Sequence, residues 1–164
     1  MFSNVTLAAP TQYERNWAAL AHLTAVLTLI VAISTAGLGH ILGLLVPLSI
    51  YLYFSGRSRY VAYHALQATV YQAVAGILYV VAAALSGAMI AMAWTVSGVL
   101  TVILVGIVLM PLALGLTLVA GVELVGLPLL ALFYAVYGAY QVSSGREFDY
   151  PVVGRLVGKS MGQV

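Results

Sequence analysis

Two apolar runs open the chain. Trp17 to Ala36 reads WAALAHLTAVLTLIVAISTA, and Gly37 to Phe54 reads GLGHILGLLVPLSIYLYF. A helix needs about 20 residues to cross hydrocarbon, with a range of roughly 17–25. Both runs therefore predict membrane-crossing helices, the second a short one. Only a few small residues around Ser34–Gly39 separate them, which predicts a tight helical hairpin. The polar stretch SGRSRY follows, carrying Arg57 and Arg59, and residues 61–142 then run apolar with a single acidic interruption at Glu123. That last stretch has room for three ordinary helices. It also suits two long ones, the surplus being tilt, interfacial extension or a broken segment. Ser97-Gly98, Pro111, Gly121 and Pro128 are the predicted breaks.

Composition decides the solvent. Hydrophobic residues make up 63% of the 164 and charged residues 6%, against roughly 45–50% and about 25% in an ordinary soluble domain. So few charges cannot cover a water-exposed surface of this size. The fold class is all-α, an integral membrane helical bundle, with four crossings expected and five as the alternative. Cysteine is absent and net charge is +2. Disulfides and thiolate chemistry are thereby excluded, as is the basic surface of a nucleic-acid binder. Residues 1–16 lack the basic start and compact apolar core of a cleaved leader. Asn4-Val5-Thr6 fits the glycosylation acceptor pattern and is read as chance.

The charges mark one face of the membrane. Glu14 and Arg15 precede the first run, Arg57 and Arg59 follow the second, and Arg146, Arg155 and Lys159 follow the last. Short basic loops stay cytoplasmic, and Trp and Tyr settle at headgroup level. Trp17, Tyr51, Tyr53, Tyr60, Tyr63, Tyr134, Tyr137, Tyr140 and Tyr150 flank those same positions. The expectation is a polar cytoplasmic segment over 1–16, a transmembrane bundle over 17–142 and a cytoplasmic or interfacial tail over 143–164, in the cytoplasmic membrane. Gly145 suits a helix C-terminus, and Pro151 bars continuation.

Few residues carry chemistry. Glu123, among Gly121, Gly126 and Pro128, reads either as a wet turn, the favoured reading, or as a buried carboxylate binding a proton or cation. His22 and His64 belong at one depth, the geometry of a paired-histidine haem or metal site; His40 belongs near the opposite face. Without a carboxylate or cysteine partner they read as hydrogen-bonding groups between helices, and neither cofactor nor metal is expected. His64, Gln67, Tyr71 and Gln72 recur along one helical face, as do Thr24 and Thr28 beside His22. Packing is the favoured reading and a polar path the alternative. Gly39 and Gly43 make a GxxxG match. Gly154, Gly158 and Gly162 share the spacing, but outside a spanning helix. Glu147 and Asp149, beside Arg146, read as a solvated cap. Patterns for hydrolases, phosphate loops and dinucleotide sites are absent, so no enzyme is expected.

Three segments, ERNWAALAHL (14–23), RYVAYHALQATVYQ (59–72) and YGAYQVSSGREFDYPVVGRLV (137–157), occur in that order. Together they resemble the bacterial Tic-Twenty-like family, small multi-pass membrane proteins of unknown function related to a chloroplast inner-envelope import component. The resemblance rests on Glu14, Arg15, Ala21, His22 and Leu23, then His64, Ala65 and Gln67, then Gly145, Glu147, Tyr150 and Pro151. It implies a four-helix bundle with both termini cytoplasmic and no enzyme activity. The expected role is a helical subunit or scaffold in contact with lipid and with a membrane-protein partner or a second copy, in protein translocation or complex assembly. The alternatives are a small-solute or ion transporter using Glu123 and the His64–Tyr71 stripe, and more distantly a haem- or quinone-associated redox subunit.

Overall fold

The computed structural model describes residues 9–35 and 37–162, and among these every regular element is helical. The order is α1 (Gln12–Ser34), α2 (His40–Phe54), α3 (Arg59–Leu100), a 3-10 turn (Thr101–Ile103), α4 (Val105–Ser143) and α5 (Val153–Ser160). By length and composition α1, α3 and α4 can each cross a membrane, and α2 is a shorter apolar helix. The glycosylation-like Asn4-Val5-Thr6 lies outside the described residues.

Helix α1 begins five positions before the apolar run, inside the stretch expected to be a polar segment. Thr11-Gln-Tyr-Glu14 is a capping box: the Thr11 hydroxyl accepts from the Glu14 amide and the Glu14 carboxylate accepts from the Thr11 amide. Two orphan donors are satisfied at once, which starts the helix where hydropathy alone does not. Ser58 caps α3 more simply, accepting from the Val61 amide alone. Its hydroxyl also donates to Glu14 Oε1 at 2.7 Å.

The predicted breaks do not occur. Residues 59–100 and 105–143 form two helices, of 42 and 39 residues, and Pro111 and Pro128 lie inside the second. Turn propensities are calibrated in water, where an interrupted ladder is readily solvated. In hydrocarbon the helix is retained and the gap left by proline is absorbed locally. The chain instead reverses at Leu104, whose φ of 65° is left-handed. Gly106 follows, where a Cβ would collide with the Ser97 carbonyl.

The described chain divides into two compact units. The first comprises residues up to Ala73 together with Leu132 onward. Its interior is built from small side chains, Ala18, Ala21, Ala62, Ala65, Ala68 and Ala135 being fully buried, which lets helices approach closely. Gly43 abuts Thr28 so tightly that a Cβ would lie 2.5 Å from its hydroxyl. The second unit, Val74–Ala131, is an antiparallel helix pair. Its less exposed positions, Ala83, Ser86, Ile90, Ala93 and Ser97 on α3 and Gly106, Leu109, Ala113, Leu116 and Ala120 on α4, recur at alternating steps of three and four. That is the period of a left-handed coiled-coil seam. Trp94 Nε1 donates to Thr117 Oγ1 across it at 3.0 Å.

Candidate functional site: a buried histidine–tyrosine node

The centre of the first unit is polar. His22 is fully buried. Its Nε2 lies 3.3 Å from Nδ1 of His64, and its Nδ1 lies 2.9 Å from the Tyr150 hydroxyl. The paired depth expected for the two histidines is thus observed, and the third member comes from the tail. Burial, with the Tyr71 and Tyr134 phenols beside it, raises the Tyr150 phenol above its ordinary range. The phenol therefore keeps its proton, and it is assigned as the donor to His22 Nδ1. That fixes the His22 hydrogen on Nε2, from which it donates to His64; the tautomers follow from the network.

A second layer fixes Tyr150. Gln67, fully buried, accepts from the Tyr150 amide at 3.1 Å and donates to Asp149 Oδ1 at 2.8 Å. The same carboxylate oxygen accepts from the Tyr63 hydroxyl at 2.7 Å. Asp149 is exposed, as the solvated-cap reading expected, yet one oxygen of its carboxylate also accepts from two donors on α3. Glu147 and Arg146 are exposed as well. Tyr71 stacks on Tyr150 with ring centres 3.8 Å apart and planes 8° from parallel. Phe148 meets Tyr150 edge-on at 5.0 Å and fills the space over Gly138.

Local sequence explains how the tail reaches this place. Helix α4 ends in a Schellman motif, with the Gly145 amide on the Val142 carbonyl and the Arg146 amide on that of Gln141. Gly145 holds φ +74°, the left-handed conformation the motif demands. A Cβ there would lie 2.5 Å from an Arg15 guanidinium nitrogen, so Arg15 covers the turn. The chain reverses again at Val152, where the Val153 amide bonds the Pro151 carbonyl at 2.8 Å and φ is 66°. This is a γ-turn of the strained hand. It launches α5, whose Val153, Gly154, Val157 and Gly158 are buried in the first unit while Arg155 and Lys159 face outward. Arg59 secures the far end of α5 by donating to the Met161 and Gly162 carbonyls.

A separate polar cluster sits further along the helices. Gln72 accepts from Thr28 at 2.8 Å and donates to Thr24 at 2.9 Å, and Thr24 donates to the Ala21 carbonyl. His40 Nε2 lies 3.1 Å from the Gln72 carbonyl and stays apart from His22 and His64. The stripe predicted on α3 therefore divides, with Gln67 and Tyr71 on Tyr150, His64 on His22, and Gln72 on Thr24 and Thr28. Glu123, in the second unit, lies within the continuous α4, so the expected wet turn is absent. It is half-buried and accepts from the Ser86 hydroxyl at 2.8 Å.

Hydropathy and spacing missed Asp149, Tyr63 and Ser58, whose partners lie 44 to 86 residues away. Thr11-x-x-Glu14 was visible as a capping signal, and the Gly154–Gly158 spacing marks a buried helix face after all. Chemically, the node ties α1, α3 and the tail through groups that satisfy one another. Among the described residues no three His, Asp or Glu side chains gather as metal ligands would.

The family model described as the magnetosome magnetite crystal formation protein family (MamF/MmsF) matches residues 13–157. No curated protein and no solved structure matches the chain at a significant level. The match overturns the Tic-Twenty-like assignment. That resemblance lay in three short interfacial segments, whereas the family model runs through all three and the apolar stretch between them.

Proposed function

The chain belongs to the magnetosome magnetite crystal formation protein family, and from that premise we propose that it is a non-enzymatic multi-pass scaffold of the magnetosome membrane that takes part in crystal formation. One observation carries the scaffold reading: the bonds among His22, His64, Tyr150, Gln67, Asp149 and Tyr63 join the tail to α1 and α3. A general acid or base must present an atom within reach of substrate. Here the facing nitrogens of His22 and His64 are turned toward each other, and their effect is to lock the tail onto α1 and α3. A tail held in one position presents a fixed surface to a membrane-protein partner or to a second copy. We propose four crossings, by α1 to α4, with both ends on the cytoplasmic side. The reversal at Leu104 supports this by making residues 59–143 two helices rather than three.

The test is genetic. In a magnetosome-forming bacterium lacking its own family member, this chain is expected to shift the crystal size distribution toward normal under the electron microscope. A variant combining His22→Ala and Tyr150→Phe, present in the membrane at equal level, is expected to do so less. No shift by the unmodified chain overturns the role. A full shift by the variant overturns the place of the node in it.

A second reading, ion or solute passage, rests on Glu123, because an ionisable group at membrane depth is costly unless used. Glu123→Gln keeps an acceptor for Ser86. Loss of flux in proteoliposomes would support passage; equal flux, or none from the unmodified protein, removes it.

A further inference from the structure

At the Arg57 end of α1 and α2, within the first unit, a groove of about 430 Å³ is lined by Tyr13, Trp17, Ser49, Ile50, Tyr53 and Phe54. That volume lies within the range of small-ligand sites, about 300–1,000 Å³. The rings are arranged as a wall: Trp17 and Phe54 centres are 5.4 Å apart, and Tyr13 meets Trp17 edge-on at 6.2 Å. Tyr13 is 60% exposed and Tyr53 55%, so the wall faces outward. Arg57 stands at its rim, its guanidinium carbon 3.9 Å from the centre of the Tyr53 ring. We propose that this groove holds an anionic phospholipid, with the phosphate on Arg57 and an acyl chain along the rings.

Geometry selects the headgroup. A guanidinium held over a ring is placed by the ring's π-face, and its N–H groups can grip a phosphate with two parallel bonds. Among the described residues the Arg57 side chain donates no hydrogen bond. Glu14, next to Tyr13 in the chain, is engaged by Thr11 and Ser58, so that acid does not compete for the guanidinium. A choline headgroup would seek the same aromatic faces, but Arg57 already covers that of Tyr53. An acidic lipid therefore gains the arginine, and a choline lipid loses the ring. The apolar remainder of the groove lies where the first two helices meet the headgroup level, as the Trp and Tyr placement requires, and there the covering material is lipid.

Trp17 reports directly on the groove, because the chain has only two tryptophans and Trp94→Phe leaves Trp17 alone. The full chain carrying Trp94→Phe is placed in nanodiscs of unlabelled phosphatidylcholine. It is titrated with brominated phosphatidylglycerol or brominated phosphatidylcholine. Quenching of Trp17 is expected to need about tenfold less of the glycerol lipid, the factor one charge-assisted hydrogen bond supplies. Arg57→Ala is expected to abolish that preference and Arg57→Lys to retain part of it; Arg155→Ala, outside the groove, should leave it unchanged. Equal quenching by the two lipids overturns the proposal. So does a preference that survives Arg57→Ala. Protection of Trp17 from both lipids, with cross-linking between copies, would overturn it in favour of a second chain.

Discussion

Removing one oxygen tests whether the node holds the tail. Tyr150 is 1% exposed, and Tyr150→Phe deletes only the hydroxyl that donates to His22. The stack on Tyr71, the edge contact with Phe148 and the backbone bond to Gln67 all remain. Interhelical hydrogen bonds in membranes average about 0.6 kcal/mol and reach about 1.7. That figure assumes the freed partner finds a substitute. His22 Nδ1 is fully enclosed, and an orphaned buried polar atom costs about 1–3 kcal/mol. The second term governs, giving a loss of about 2 kcal/mol. Tyr150→Ala, which also empties a large aromatic volume, should lose about 3–5 kcal/mol. Two assays read this: unfolding by sodium dodecyl sulfate in mixed micelles followed by circular dichroism, and tryptic cleavage of the tail at Arg146, Arg155 and Lys159. At tenfold per 1.4 kcal/mol, cleavage should quicken about 30-fold where the tail opens and recloses faster than it is cut. Combined with His22→Ala the losses should be non-additive, with a coupling of about 1 kcal/mol. A Tyr150→Phe protein that unfolds and is cleaved like the unmodified one would refute the reasoning, as would strict additivity with His22→Ala.

Three further outcomes are expected. Val152→Gly should stabilise the protein by about 0.5–1 kcal/mol in the same unfolding assay, since the left-handed strain is relieved and the valine side chain, 61% exposed, gives up little burial. Gly138→Ala should destabilise by about 1–3 kcal/mol. The added methyl collides with the Phe148 ring, which is hemmed in by His22, Tyr134 and Tyr150. From pH 8 stability should hold level up to about pH 10 and fall above it. The Tyr150 phenol is raised in the folded protein, so the unfolded chain releases that proton first and alkaline solution favours it. Tyr150→Phe should flatten this fall, measured as unfolding midpoints at pH 8 and pH 11.

Helices and solvent were legible in the sequence because both depend on local composition. The runs after Trp17 and Gly37 became α1 and α2 with small changes at their ends. What failed was the use of water-based punctuation. Pro111, Gly121 and Pro128 suggested breaks, and Glu123 a turn, yet α4 passes through all four. In lipid an open backbone group has no water to turn to, so the ladder outweighs the propensity. The coincidence of His22 with His64 was legible from depth counting. Tyr150 was marked as an interfacial ring and as part of a helix-ending motif, and the partners of Asp149 were not foreseen. Charge spacing near Arg146 suggested a solvated acid, and Asp149 is exposed, but its donors Tyr63 and Gln67 are 86 and 82 residues away. No local pattern encodes such a pairing.

The three segments behind the mistaken family assignment are the ones the fold gathers together. Glu14, Arg15 and His22 come from the first, Tyr63, His64 and Gln67 from the second, and Gly145, Asp149 and Tyr150 from the third. Their joint presence has a physical source independent of any family. Apolar packing in hydrocarbon is weakly selective, because lipid tails solvate leucine as well as a neighbouring helix does. Directional hydrogen bonds discriminate: a shift of one turn on α1 moves His22 about 5.4 Å along the axis and breaks both of its bonds. The node thus specifies how α1, α3 and the tail register, and the apolar surfaces supply area once that register is set. Loss of the node should accordingly leave helix content intact while freeing the tail. That combination separates a lost register from a general failure to fold.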